Sequence, residues 1–164
     1  MADSETRVLV RRFDPARDAA ALRACVIDHQ NFHRGIESAW PAGEAIADEY
    51  LAYLDRVCAA QHGCLLMAEY DGQIAGFVCV AASTRGDAPD DPAPFAWLQD
   101  LYVKPEHRRR GVASRLMAAA EAFARGEGAR EMRLGVLHGN RDARGFYARQ
   151  GFREYTHVLT KPLA

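Results

Sequence analysis

Three consecutive arginines, Arg108, Arg109 and Arg110, run directly into Gly111 and then into Val112, Ala113 and Ser114. Guanidinium groups offer planar, charge-assisted donors suited to phosphate oxygens. The stretch from Gly111 to about Arg125 reads as a helix, so Gly111 falls where that helix opens. The first amides of a helix lack internal partners, and the macrodipole gathers positive partial charge there. The spacing therefore predicts that the backbone N–H groups of Arg109 through Ser114 can cradle a diphosphate. Gly111 has no side chain to obstruct the approach, and Ala113 is small enough for close contact. No Gly-Lys-Ser or Gly-Lys-Thr follows, which excludes a P-loop, and the three-glycine dinucleotide fingerprint is missing. Read alone, the segment is either an anion site or a solvated basic turn.

Other reactive side chains give weaker patterns. His29 and His33 are four apart on a predicted helix, a spacing that can bind metal, but no third ligand is near. No metal site is assigned, and a surface position suits both. Cys58, His62 and Cys64 cluster without a matching second half and read as core and helix-end residues. Asp87, Asp90 and Asp91 make an acidic loop that either attracts a cation or is simply solvated. Trp40 and Trp97 read as packing anchors.

The elements that would position these groups alternate between strand and helix patterns. Thr6–Phe13 reads as a first strand, followed by Asp14 as N-cap, Pro15 at the first helical position and a helix to about His33. After a break at Trp40–Gly43, a second helix runs from Glu44 to about Gln61, with Ile46, Tyr50, Tyr53, Leu54 and Val57 on its inner stripe. Cys64–Tyr70 and Gln73–Ala81 form a hairpin about Asp71-Gly72. Gly86–Pro94 reads as a loop, Phe95–Val103 as a fourth strand and Glu131–Leu137 as a fifth. Asn140–Gln150 is a short helix, and Phe152–Pro162 supplies terminal strand material.

A chain of 164 residues, 49% hydrophobic and 26% charged, suits one globular α/β domain spanning residues 1–164. The net charge of −1 gives no general attraction to nucleic acid or anionic membrane. The first residues lack the apolar core of a secretory signal, no stretch is long enough for a membrane span, and the four cysteines are scattered. The expected compartment is the cytoplasm.

Two segments carry a family resemblance. Arg108-Arg-Arg-Gly-Val-Ala113 resembles the Arg/Gln-x-x-Gly-x-Gly/Ala acyl-CoA motif of the GNAT superfamily of N-acyltransferases, with Ala113 at a position more often glycine. The likeness extends upstream through Leu101-Tyr-Val-Lys-Pro105 and downstream through Leu116. Asn140-Arg-Asp-Ala-Arg-Gly-Phe-Tyr-Ala-Arg-Gln-Gly-Phe152 is similar to the family's Asn-x-x-Ala-x-x-Phe-Tyr-x-x-x-Gly-Phe signature. The resemblance implies a mixed, mostly antiparallel central sheet of six to seven strands with about four helices, its fourth and fifth strands splayed.

It implies further that acetyl-CoA is the co-substrate and that an amine attacks its thioester directly in a ternary complex. Leu101, Tyr102 and Val103 would lie along the pantetheine arm, with the Leu101 N–H as oxyanion donor. Arg108, Arg109, Arg110, Gly111, Val112, Ala113 and Ser114 would hold the diphosphate, and Asn140, Ala143 and Tyr147 would complete the coenzyme contacts. Tyr147 stands where the family carries a general acid, although it also fits as a packing residue beside Phe146. Asn140 also fits as a helix N-cap.

An ordinary alkylamine with a pKa near 10.4 is only about 0.04% neutral at pH 7, so the acceptor's proton must be removed. Asp100, Glu69 and a water relay are the alternatives, because Gln99 stands where some relatives have a glutamate. Alternation puts Gln99 and Asp100 on opposite sheet faces unless a bulge intervenes. The acceptor is expected to be a primary amine. A likeness of Trp97-Leu-Gln-Asp-Leu-Tyr-Val103 to diamine acetyltransferases leans toward a small amine over a protein amine. The resemblance also leaves a homodimer open, and a non-catalytic acyl-CoA-binding regulatory module is the competing reading.

Overall fold

The computed structural model describes residues 7–84 and 94–163. Its order is β1 (Val8–Arg12), α1 (Pro15–Ile36), α2 (Gly43–Ala60), β2 (Cys64–Tyr70), β3 (Gln73–Thr84) and β4 (Phe95–Val103). A 3-10 turn (Pro105–His107), α3 (Val112–Gly126), β5 (Glu131–Leu134) and α4 (Arg141–Arg149) follow. Asp14 accepts from the Ala16 N–H and Pro15 opens α1, as the sequence predicts. Ala42 at the N-cap of α2 has no capping side chain, and Asn31 on α1 takes over by accepting from the Gly43 N–H at 2.8 Å. Helix α2 is thereby fixed against α1 at the end nearest His33.

The sheet runs β1-β2-β3-β4-β5, antiparallel except for the parallel β4–β5 pair. Leu22, Cys25 and Val26 of α1 and Leu54 and Val57 of α2 bury one face together with Phe77 and Tyr102. Val112, Leu116, Met117 and Ala120 of α3 bury the other against Val78, Val80, Ala96 and Leu98. A fully buried side chain such as Phe77 or Leu116 contributes about 1.5–3 kcal/mol over exposure, and such contacts hold β3 and β4 between the two helical layers. No helix among the described residues is long and apolar enough to cross a membrane.

Two expectations are corrected. The sheet has five strands among the described residues, against the six to seven expected, and Phe152–Pro162 contains no strand. Val158 and Leu159 there are 90% and 91% exposed, so the β-branched and apolar composition that suggested a strand finds no neighbouring strand to pair with. Strand β5 also stops at Leu134 instead of reaching Leu137. Most of the predicted loop Gly86–Pro94, with Asp87, Asp90 and Asp91, lies outside the described residues.

Candidate active site

The basic turn is built from backbone conformation as much as from charge. Arg109 (φ 61°) and Gly111 (φ 81°) both take the left-handed conformation, and Gly111 forms the N-cap of α3 with no side-chain cap. The first bond into the helix is Arg115 N–H to the Gly111 carbonyl at 3.1 Å. Among the described residues, the N–H groups of Arg109 to Ser114 donate to no backbone carbonyl or side chain outside the helix, and all precede its first internal bond. A Cβ at Gly111 would meet nothing within 4 Å, so the mouth is open. Free amides, dipole and open space together fit a diphosphate.

The arginines divide the work unequally. Arg108 Nε donates to the Val103 carbonyl at 3.0 Å and its guanidinium lies over the Phe32 ring. Arg110 lies over the Tyr70 ring at 5.1 Å. Arg109 makes no hydrogen bond or ion pair among the described residues, so its cation is uncommitted.

Upstream of the turn the sheet opens. Strand β5 pairs with β4 only from Phe95↔Glu131 to Leu98↔Leu134, whereas β3 follows β4 as far as Gly76↔Val103. From Gln99 to Val103 one edge of β4 therefore lacks a paired strand among the described residues. Antiparallel residues alternately point both backbone polar groups toward the partner strand and away from it. Lys104 donates to the Ala75 carbonyl, and the Tyr102 carbonyl is close enough to Gly76 to clash with any Cβ there. Tyr102 and Lys104 thus face β3, and Leu101 and Val103 direct their N–H and C=O groups into the opening. The bond from Arg108 to the Val103 carbonyl agrees with that polarity.

A bulge changes the side chains along the same strand. Cys79 pairs with Asp100 and Val80 with Leu98, which leaves Gln99 without a partner. Leu98 and Leu101 consequently both pack toward α3, and Asp100 turns to the α1–α2 face. There Asp100, 6% exposed, accepts from the Tyr50 hydroxyl at 2.8 Å on one oxygen, with the other 3.0 Å away. His29 Nδ1 lies 3.3 Å from Asp100 Oδ1, within charge-pair reach although off the line for a hydrogen bond. Burial and the neighbouring carboxylate raise the Tyr50 hydroxyl far above its usual range, so it stays a donor. Tyr50 appears in the sequence only as part of a hydrophobic stripe; its partner lies 50 residues away.

Tyr147 on α4 is half-buried, with the rings of Phe146 and Phe152 at 5.4 and 5.6 Å. Burial first, and then the charge of Asp100, push its hydroxyl up to about 12, so it is protonated at neutral pH. Asn140 accepts from the Ala143 N–H at 3.2 Å and is the N-cap of α4. Glu69 belongs elsewhere. Its Oε1 accepts from Arg11 Nε at 2.8 Å and Arg17 Nη2 at 2.6 Å, and Arg11 also clamps Asp18 at 2.6 and 2.8 Å. This network ties β1, β2 and α1 together and commits Glu69 Oε1 to two arginines. Among the described residues no three His, Cys, Asp or Glu side chains converge as metal ligands.

The chain is similar to known proteins in sequence and fold. The pattern of the acetyltransferase (GNAT) family matches residues 29–152. The aminoglycoside N(6')-acetyltransferase type 1 of Salmonella typhimurium is 31% identical over 134 residues, covering 80% of this chain and 90% of that protein. The crystallised aminoglycoside N-acetyltransferase AAC(6')-Iy in complex with CoA superposes with a TM-score of 0.72 at 21% identity, over 99% of both chains. The same enzyme with the bisubstrate analogue CoA-S-monomethyl-acetylneamine gives a TM-score of 0.70 at 22% identity, over 96% of this chain and 98% of that one.

Proposed function

The chain belongs to the GNAT acetyltransferase family and is an acetyl-CoA-dependent N-acetyltransferase, and from that premise we propose that it acetylates a small-molecule primary amine at the β4 opening. The observation that carries this reading is the coincidence, along one strand, of an unpaired amide edge, a helix mouth with free N–H groups and a buried carboxylate. Acetyl-CoA supplies an activated acyl group whose sulphur leaves when nitrogen attacks.

The residues divide that work as follows. The amides of Arg109 to Ser114, with the Arg109 guanidinium, hold the diphosphate. Leu101 and Val103 use their outward backbone groups to align the pantetheine arm, with Tyr102 fixing the strand from behind. The Leu101 N–H donates to the developing oxyanion, a contribution worth about 10²–10³ in rate. Asp100, anchored by Tyr50, draws the proton from the acceptor ammonium. Tyr147 returns a proton to the departing sulphur. With its hydroxyl at about 12 against a thiol near 8.5, that transfer is uphill by roughly 3.5 pH units. It must therefore be drawn forward by collapse to the stable amide. Asn140 and Ala143 set the start of α4 and hence the position of Tyr147.

The small-amine preference rests on relatives named for aminoglycosides and on the family likeness around Trp97–Val103. Membership of an enzyme family, together with a protonated tyrosine and a buried carboxylate, leaves the regulatory-module reading without an observation of its own. Thiol release from acetyl-CoA over a panel of aminoglycosides, polyamines, amino acids and peptide amines tests the proposal. Turnover confined to small amines supports it, and turnover confined to peptides overturns it.

A further inference from the structure

Acetylation of an ammonium group creates a disposal problem. Of its three N–H protons, one stays on the amide, one ends on the coenzyme's sulphur and one must reach solvent. If Asp100 takes that third proton, as the reading above holds, it must lose it again before the next turnover. Asp100 is only 6% exposed and already accepts from Tyr50, so direct exchange with water is obstructed.

A row of imidazoles leads away from it. His29 Nδ1 is 3.3 Å from Asp100 Oδ1, and His29 is itself 7% exposed. One helical turn further along α1, the His33 ring centroid lies 4.2 Å from that of His29. His33 in turn meets Trp40 at 5.1 Å, where both residues are half-buried and flanked by exposed positions. The Nδ1 atoms of His29 and His33 are buried without a hydrogen-bond partner, a state that packing alone does not account for.

We propose that Asp100, His29 and His33 form the route by which the surplus proton of the acceptor amine leaves the buried site for solvent. The Asp100 carboxylate takes the proton from nitrogen, and the resulting carboxylic acid passes it to His29 Nδ1 once the imidazole turns into line across their 3.3 Å separation. His29 releases a proton from its other nitrogen to His33, and His33 gives one up to water. Each transfer breaks one N–H or O–H bond and forms another, with no change of oxidation state. Tyr102 of β4 and Phe77 of β3 face the His29 ring, and Tyr50 of α2 bonds to Asp100 beside it. Burial raises both tyrosines well above their usual range, so they neither accept nor release the proton at neutral pH. Burial, and then His29, hold His33 down at about 4, so it passes charge on without retaining it.

The test compares wild type with His29→Gln, His33→Gln and Asp100→Asn. Thiol release is measured with an aminoglycoside bearing a free 6'-amine, with and without added imidazole, after circular dichroism has established folding. The expected result is a kcat loss of about tenfold or more in His29→Gln and a smaller one in His33→Gln, with KM for acetyl-CoA unchanged. Imidazole should relieve both losses and leave Asp100→Asn unrelieved. Wild-type turnover in His29→Gln, or a loss that imidazole does not touch, overturns the route. Wild-type turnover in Asp100→Asn instead overturns the base assignment beneath it. A readout free of the acceptor is imidazole NMR of the resting protein, where Asp100→Asn should move the His29 ring signals because their contact is only 3.3 Å. Unmoved His29 ring signals also overturn the route.

Discussion

The turn at Arg108–Ser114 and the carboxylate of Asp100 are the two ends of the same strand exit, and different physics assembles them. The turn is local. Its left-handed Arg109 and Gly111 and its unpartnered amides come from seven consecutive residues and one helix start. Asp100 is non-local, because its orientation depends on the Gln99 bulge and its surroundings on Tyr50 from α2 and His29 from α1. On the proposed reading, the diphosphate cradle is written in one short segment. Handling of the acceptor's proton requires the whole sheet–helix packing.

The sharpest way to break that contrast is at the proton-handling end. Tyr147→Phe should lower kcat by about 10²-fold or more while leaving coenzyme affinity intact, as read by steady-state kinetics beside calorimetry. Equal turnover, with chemistry shown to be rate-limiting, removes the acid role. At the other end, Gly111→Trp should weaken coenzyme A binding by about 10²-fold. It fills the open mouth and strains a left-handed residue. Unchanged affinity in a folded variant contradicts the cradle.

Two smaller effects separate site from scaffold. Glu69→Gln should cost about 3 kcal/mol of stability in urea titration by leaving Arg11 and Arg17 short of a partner, with kcat unchanged. A kcat loss at full stability would return Glu69 to the list of bases. Asp18 is held down at about 2 from 3.8, first by its hydrogen bonds from Arg11. Its folded value is the depressed one, so its stabilising contribution of about 2 kcal/mol is present above pH 4 and fades as pH falls toward 2. Stability measured from pH 5 to 2 should lose that amount in wild type and not in Asp18→Asn.

What could be read from the sequence follows the same local and non-local division. The hairpin at Asp71-Gly72, the Asp14-Pro15 helix start and the Gly111 helix mouth each depend on neighbours within a few residues, and each is found. The alternation of β4 was legible only as a condition: Asp100 and Gln99 part unless a bulge intervenes, and the bulge is set by pairing with β3. Tyr50 looked like core because nothing local reveals a carboxylate across the sheet. His29 and His33 showed their helical spacing but not what they face. Phe152–Pro162 has strand-like composition, yet strand formation needs a partner edge, and composition does not supply one.

The most direct test is an amide-resolved NMR titration of the protein with coenzyme A. The largest shifts should fall on the backbone N–H groups of Arg109 to Ser114 and of Leu101 and Val103, with Leu9 in β1, three strands away, unmoved. Saturating shifts centred on any other surface, with the α3 entrance silent, would contradict the assignment of the opened β4 edge as the place where the acetyl group is held.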